Sequence, residues 1–67
     1  MEKKMIKDLK KGEFFTLKPI ENPTEKQVWI RGDYDRSEKK YEATRFDDIN
    51  RTMLFKPSTP VFTEFTF

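Results

Sequence analysis

Short runs in which apolar and polar residues alternate recur along this chain, and they constrain its fold more than any other feature. A period of two places successive side chains on opposite faces of an extended strand, so each run predicts a half-buried strand. Polar segments containing Asn, Asp, Ser and Pro separate the runs and predict turns. The five predicted strands are residues 13–18, 27–33, 40–46, 51–56 and 61–67.

The chain length limits how these strands can be arranged. Its 67 residues fit one domain, residues 1–67, in which residues 1–11 form a basic lead-in. A chain of this size buries only roughly 60% of the surface that it exposes when unfolded. Seven Phe, two Tyr and one Trp supply the bulk for its core. We therefore expect an all-β fold, a small five-stranded, partly open SH3-like barrel, rather than the OB-fold, which usually needs more residues.

Two conformations compete for the lead-in segment. Met5, Ile6 and Leu9 would share one face of a short helix over residues 2–11, and Gly12 would then be its C′ residue. An isolated helix of this length is marginal in water, so a single helical turn is the alternative. The sequence predicts a short N-terminal helical or turn segment.

Charge pairing predicts the register of the hairpin formed by residues 27–33 and 40–46. Opposite charges face each other across the two strands in one register, and like charges meet when the register shifts by two residues. The predicted pairs are Asp33 with Lys40, Arg31 with Glu42, and Gly32 with Tyr41. This register places Trp29, Arg31, Lys40 and Phe46 together on the face opposite the core.

Strand alternation also selects the residues that should fill the core. Each run contributes the large apolar side chains of one face, because only one face of a half-buried strand can pack inward. The residues predicted to be mostly buried are Phe15, Leu17, Val28, Ile30, Tyr41, Ala43 and Leu54.

Several segments carry a resemblance to known proteins. Residues 6–15, IKDLKKGEFF, look like the lead-in common to many small β-barrels. Residues 28–37, VWIRGDYDRS, followed by Lys40-Tyr41 and by RFDDIN at residues 45–50, resemble small uncharacterised proteins of Bacteroides-type gut bacteria and their phages or mobile elements. The resemblance covers residues 6–67. It implies a bacterial or phage cytoplasm and supplies no catalytic residue.

Composition disfavours several classes of function. The chain has no Cys and no His, so it lacks thiol nucleophiles, thiolate metal ligands and the commonest general base. It has no apolar stretch near the length of a membrane span and no signal-peptide h-region. We expect a cytoplasmic protein that is not an enzyme and uses no cofactor, metal, membrane or small-molecule substrate.

Two short motifs have simpler interpretations than the functional ones that they suggest. Arg31-Gly32-Asp33 matches the integrin-binding tripeptide, but it falls within a predicted strand rather than at an exposed loop tip. Asp47-Asp48 offers too few oxygen ligands for a dedicated cation site, so it predicts a cap and a turn.

Basic residues interleaved with aromatic residues mark the candidate binding surface. Binding sites for single-stranded nucleic acid combine basic side chains with aromatic rings on which nucleobases stack. The candidate residues are Lys7, Lys10, Lys11, Trp29, Arg31, Lys40 and Phe46. The alternative is that these aromatics pack structurally and the lysines form a solvated face.

The predicted function is accordingly a non-enzymatic binding module. Nucleic acid is the first partner considered, because the lysines and aromatics could contact phosphates and bases. The alternative is a protein-interaction module or a structural accessory subunit of a phage or bacterial assembly, docked or oligomerised through a strand edge.

Overall fold

The computed structural model describes residues 2–66, and these residues form an all-β fold. Two single 3₁₀ turns, Ile6–Asp8 and Glu25–Gln27, interrupt the strands. The strands are β1 (Glu2–Met5), β2 (Phe14–Phe15), β3 (Trp29–Asp35), β4 (Lys40–Arg45), β5 (Asp48–Phe55) and β6 (Pro60–Thr63).

The strands form two antiparallel sheets. The larger has the order β2-β3-β4-β5, and the smaller pairs β1 with β6. Thr16 and Phe62 connect the two sheets, since each backbone N–H donates to the other residue's carbonyl at 2.9 Å. Within residues 2–66 neither sheet closes into a barrel.

The lead-in segment is a strand, so the expected helix over residues 2–11 is wrong. Glu2 pairs with Thr63 and Met5 pairs with Pro60. Pairing with β6 satisfies backbone groups of this segment, whereas an isolated helix of its length would be marginal in water. Only Ile6–Asp8 forms the single turn that was the alternative. Gly12 has a φ of 92°, but it lies in a turn rather than at the end of a helix.

The C-terminal strand is shorter than the sequence suggests. It spans Pro60–Thr63, because Glu64 adopts a φ of 59° and leaves the extended conformation. The Thr66 N–H then donates to the Glu21 carbonyl at 2.9 Å. Phe67, which the sequence assigns to this strand, lies outside the described residues.

The β3–β4 hairpin forms as expected, but the predicted register is wrong. Arg31 lies opposite Ala43 rather than Glu42, and Asp35 rather than Asp33 lies opposite Lys40. A β-bulge between Arg31 and Tyr34 accommodates one extra residue on β3. Beyond the bulge, Tyr34 lies opposite Tyr41, the residue that the sequence paired with Gly32.

One apolar cluster fills the space between the larger sheet, β6 and the first 3₁₀ turn. Phe55 lies at its margin and packs edge-on against Phe15 and Trp29, with ring centroids 6.2 and 5.6 Å away. Such edge-to-face contacts are favourable for aromatic rings at these distances. The buried members of the cluster are Ile6, Leu9, Phe15, Trp29, Ala43 and Val61.

Three of the seven residues predicted for the core are fully buried, namely Phe15, Val28 and Ala43. Ile30 and Tyr41 are half-buried. Leu17 and Leu54 are exposed, at 39% and 38%, so their assignment to the core is wrong. Leu17 follows the end of β2, and Leu54 alternates with Phe55, whose side chain takes the core side of β5.

The core cluster predicts the effect of truncating Phe15. Its side chain is fully buried, so Phe15→Ala should leave a cavity and lower the free energy of unfolding by about 3–5 kcal/mol. Ile49→Ala is the control, since Ile49 is 81% exposed and its loss should change stability by less than about 0.5 kcal/mol. Chemical denaturation of both variants measures the difference. Equal losses would contradict this description of the core.

Candidate functional site

Two tyrosines and an arginine stack at the hairpin end of the larger sheet. The Tyr34 and Tyr41 ring centroids lie 4.8 Å apart, and the planes are inclined by 56°. The Arg31 guanidinium carbon lies 4.3 Å from the Tyr41 centroid, in cation–π geometry. Tyr34 is 42% exposed, so part of its ring is accessible to a ligand. Register explains the arrangement, because Arg31, Tyr34 and Tyr41 all lie on the same face as Ala43.

The Arg31 side chain is held in place rather than projecting freely. Its Nη1 donates a hydrogen bond of 2.9 Å to the Gly32 carbonyl. Its Nε is buried and has no hydrogen-bond partner among the described residues. The guanidinium therefore supports the Tyr41 ring. The Arg-Gly-Asp tripeptide lies inside β3 at the bulge, which is not the loop-tip setting of an integrin ligand.

Backbone pairing brings the loop with Lys10 and Lys11 beside this stack. The Gly12 N–H donates to the Arg31 carbonyl at 2.8 Å, and the Arg31 N–H donates to the Glu13 carbonyl at 2.9 Å. The Lys11 ammonium forms an ion pair of 2.9 Å with Asp33, and both side chains are about two-thirds exposed.

Further lysines lie at the same end of the larger sheet. Tyr41 pairs with Phe55, so Lys40 and Lys56 lie one residue beyond this pair, and strand alternation places Lys40 on the face opposite the Tyr41 ring. The Lys7 N–H donates to the Pro57 carbonyl at 3.3 Å, which places Lys7 near the end of β5. We define the hairpin-end surface as Lys7, Lys10, Lys11, Arg31, Tyr34, Lys40, Tyr41 and Lys56.

Two carboxylates beside this surface, those of Asp33 and Asp35, have local partners. Asp33 pairs with Lys11. The Asp35 Oδ1 accepts hydrogen bonds from the N–H groups of Ser37 and Glu38, at 2.9 and 3.2 Å. This side-chain turn orders the hairpin loop and makes Asp35 part of the fold rather than a free charge.

Two sequence-predicted site residues lie elsewhere. Trp29 is only 7% exposed and belongs to the core cluster, at the opposite end of β3 from Tyr34. Phe46 is 36% exposed, and its ring packs edge-on against Phe14 at 5.6 Å. The expectation that Trp29, Arg31, Lys40 and Phe46 share one outer face is therefore wrong, since Trp29 and Arg31 lie on the core side. Five of the seven candidates, Lys7, Lys10, Lys11, Arg31 and Lys40, do lie at the hairpin end of the larger sheet, with Lys40 on the face opposite Arg31.

Sequence reasoning missed Tyr34, Tyr41 and Lys56 as parts of this surface. Aspartate commonly bonds to the backbone two residues onward, and Asp35 does so here. A four-residue loop at 36–39 closed by Asp35 and Lys40 would have placed Tyr34 opposite Tyr41. The Asp35 turn was therefore the sequence signal from which the pairing of Tyr34 with Tyr41 could have been predicted.

A second surface lies on the other face of the larger sheet and is uncharged along one row. Phe14, Ile30, Thr44 and Thr52 follow one another across its four strands in register. The Thr44 and Thr52 hydroxyl oxygens lie 3.4 Å apart. Phe14 is 41% exposed. We call these four residues the outer uncharged row.

The edge of β5 is irregular at its beginning. Arg45 pairs with Asp48, but the next pair is Thr44 with Thr52, so residues 49–51 bulge out of the ladder. A bulge twists an edge and reduces its capacity to pair with another strand. Ile49 within this bulge is 81% exposed.

No cluster of side chains suited to a metal ion occurs among residues 2–66, since no group of three His, Cys, Asp or Glu side chains there could hold one. Asp47 instead pairs with Arg45 at 3.2 Å, and Asp48 accepts a hydrogen bond from the Asn50 N–H. An open depression of about 450 Å³ is lined by Lys3, Lys4, Met5, Asp8, Ser58 and Pro60. Within the described part of the chain, no helix has the length and apolar character needed to cross a membrane.

Comparison with known proteins adds no family to this description. No protein-family model matches the sequence, and neither a curated protein nor a solved structure matches it. The resemblance to small proteins of gut bacteria and phages therefore stays a prediction.

The loop that carries Lys10 and Lys11 depends on Gly12. Its φ of 92° is rarely adopted by other residues, although a Cβ at this position would meet no atom within 4 Å. Gly12→Ala should therefore cost about 1–2 kcal/mol of folding free energy through backbone strain alone. Gly12→Asn is the control and should cost less, because Asn tolerates positive φ better than Ala does. Denaturation curves of Gly12→Ala that coincide with those of the parent protein would contradict this prediction.

Proposed function

We propose that this chain is a non-enzymatic binding module and that its hairpin-end surface binds single-stranded nucleic acid. The observation that carries the proposal is the stack of Tyr34, Tyr41 and Arg31, whose partly exposed Tyr34 ring lies near the loop that carries Lys10 and Lys11. A nucleobase stacked on an aromatic side chain contributes about 1–3 kcal/mol, whatever its sequence. An unstacked base is required for this contact, which favours a single strand over a duplex.

The charges of the surface support a polyanionic ligand. Among residues 2–66 the ion pairs are Lys11 with Asp33 and Arg45 with Asp47. The ammonium groups of Lys10, Lys40 and Lys56 therefore have no carboxylate partner within the described residues. Lysines of this kind attract a phosphate backbone and release its counterions on binding.

The finer fold assignment is also part of this proposal. We propose a partly open SH3-like barrel, in which β1 and β6 close one side. Its supports are the Thr16–Phe62 bridge between the sheets and the Ile6 N–H that donates to the Thr59 carbonyl at 3.0 Å. The setting that the sequence resemblance implies, a bacterial or phage cytoplasm, belongs to the proposal as well.

Protein docking is the second candidate function, and the outer uncharged row favours it. The row is uncharged in a chain of which 39% is charged, and the partly exposed Phe14 lies on it. Aromatic residues are enriched and most charged residues depleted in the cores of protein interfaces. A docking module of this kind would show no affinity for a polyanion near physiological salt.

Substitutions at Tyr34 test the stacking role. Tyr34→Ala should weaken binding of a fluorescently labelled single-stranded oligo(dT) by about 5- to 100-fold, because it removes the exposed ring. Tyr34→Phe is the matched control and should bind nearly as well as the parent, since it keeps the ring and loses only the hydroxyl. Fluorescence anisotropy measures each dissociation constant, and thermal melting checks that both variants fold. Equal binding by Tyr34→Ala and the parent would contradict the stacking role.

The salt dependence of binding tests the lysines. Lys10→Ala should reduce the steepness of the log–log salt dependence by about 0.7, the value of one phosphate contact with a single strand. Lys26→Ala is the charge-matched control, because Lys26 lies on the turn that precedes β3, at the other end from Tyr34. Identical slopes for the two variants would contradict a phosphate contact at Lys10. An absence of binding even at low salt would end the nucleic-acid proposal and leave protein docking first.

A further inference from the structure

We infer that Asp33 holds Lys11 away from ligand phosphates and thereby limits the affinity of the hairpin-end surface. This inference rests on the proposed function and adds a residue that opposes binding. Asp33 lies in β3 directly before Tyr34, the exposed ring of the surface. The ligand concerned is the phosphate backbone of a single strand whose base stacks on that ring.

The geometry assigns Lys11 to Asp33 in the free protein. The Lys11 Nζ lies 2.9 Å from the Asp33 Oδ1, which is the length of a charge-assisted hydrogen bond. The bulge between Arg31 and Tyr34 places Asp33 where the loop that carries Lys11 passes β3. A bulge commonly redirects a side chain in this way.

The Asp33 carboxylate has no role in the fold comparable to that of Asp35. The Asp35 carboxylate accepts two backbone hydrogen bonds and orders the hairpin loop. Asp33 contacts Lys11 instead, and its side chain is 67% exposed. An exposed ion pair contributes little to folding, so Asp33 can be changed without loss of the structure.

The consequence for binding is specific to this pair. A phosphate that approaches Lys11 meets the Asp33 carboxylate at the same ammonium group, and the two anions repel each other. Lys10 has no such competitor, since no described carboxylate lies within ion-pair distance of its ammonium group. Lys11 should therefore add a full phosphate contact only when the carboxylate at position 33 has been replaced.

A double-mutant cycle on the intact chain tests this inference with labelled oligo(dT). Asp33→Asn should tighten binding and steepen the salt dependence by about 0.7, the value of one added phosphate contact. Lys11→Ala should cancel the added 0.7 in the Asp33→Asn background, a larger change in slope than it causes in the parent. Glu25→Gln, at the opposite end of β3, controls for the loss of any one negative charge.

The outcomes separate this inference from the function on which it rests. A steepening by Glu25→Gln equal to that of Asp33→Asn would overturn the inference, because it would reflect net charge alone. An equal effect of Lys11→Ala in both backgrounds would overturn it too, since Lys11 would then contact phosphate despite Asp33. The absence of Tyr34-dependent binding would instead overturn the proposed function. Thermal melts of Asp33→Asn and Lys11→Ala should superimpose on that of the parent, because an exposed ion pair contributes little to folding.

Discussion

The bulge in β3 reconciles two demands on one strand, and the candidate surface depends on it. At one end of the strand the core requires Trp29 to face inward, in a register that sets Arg31 opposite Ala43. At the other end the loop closed by Asp35 sets that residue opposite Lys40, which differs by one residue from the register at Arg31. The extra residue lies between Arg31 and Tyr34, and without it Tyr34 would point to the other face of the sheet.

Charge pairing failed to predict this register because cross-strand charge pairs contribute less free energy than the burial of a large apolar side chain. The existence of β2 to β6, the β3–β4 hairpin and the burial of Phe15 were predictable, because each follows from local alternation. Cross-strand charge pairs contribute only about 0.2–1 kcal/mol each. Burying a large apolar side chain contributes about 1.5–3 kcal/mol, so the inward position of Trp29 outweighs the pairing of Arg31 with Glu42. Tertiary burial of Trp29 could not be read from its own strand.

The lysines of the site were more predictable than its aromatics. Lys7, Lys10 and Lys11 lie close together in sequence, so any compact fold of the lead-in keeps them near one another. The face on which an aromatic residue lies depends on the register of its strand, because a shift of one residue moves its ring to the opposite face. That sensitivity is why the sequence assigned the binding ring to Trp29, whereas the exposed ring beside the lysines is that of Tyr34.

The division of aromatics between core and surface follows from the size of the domain. A small chain with few large aliphatic residues needs rings in its interior, and Phe15 and Trp29 are buried there. Tyrosine is suited to the boundary, because its ring can pack while its hydroxyl stays in water. Tyr41 meets this description by packing against the core cluster, and Tyr34 extends the same stack into solvent. The Tyr34 ring thus rests on the half-buried Tyr41 ring, so under the proposed function the binding of a base would require little further ordering of the protein.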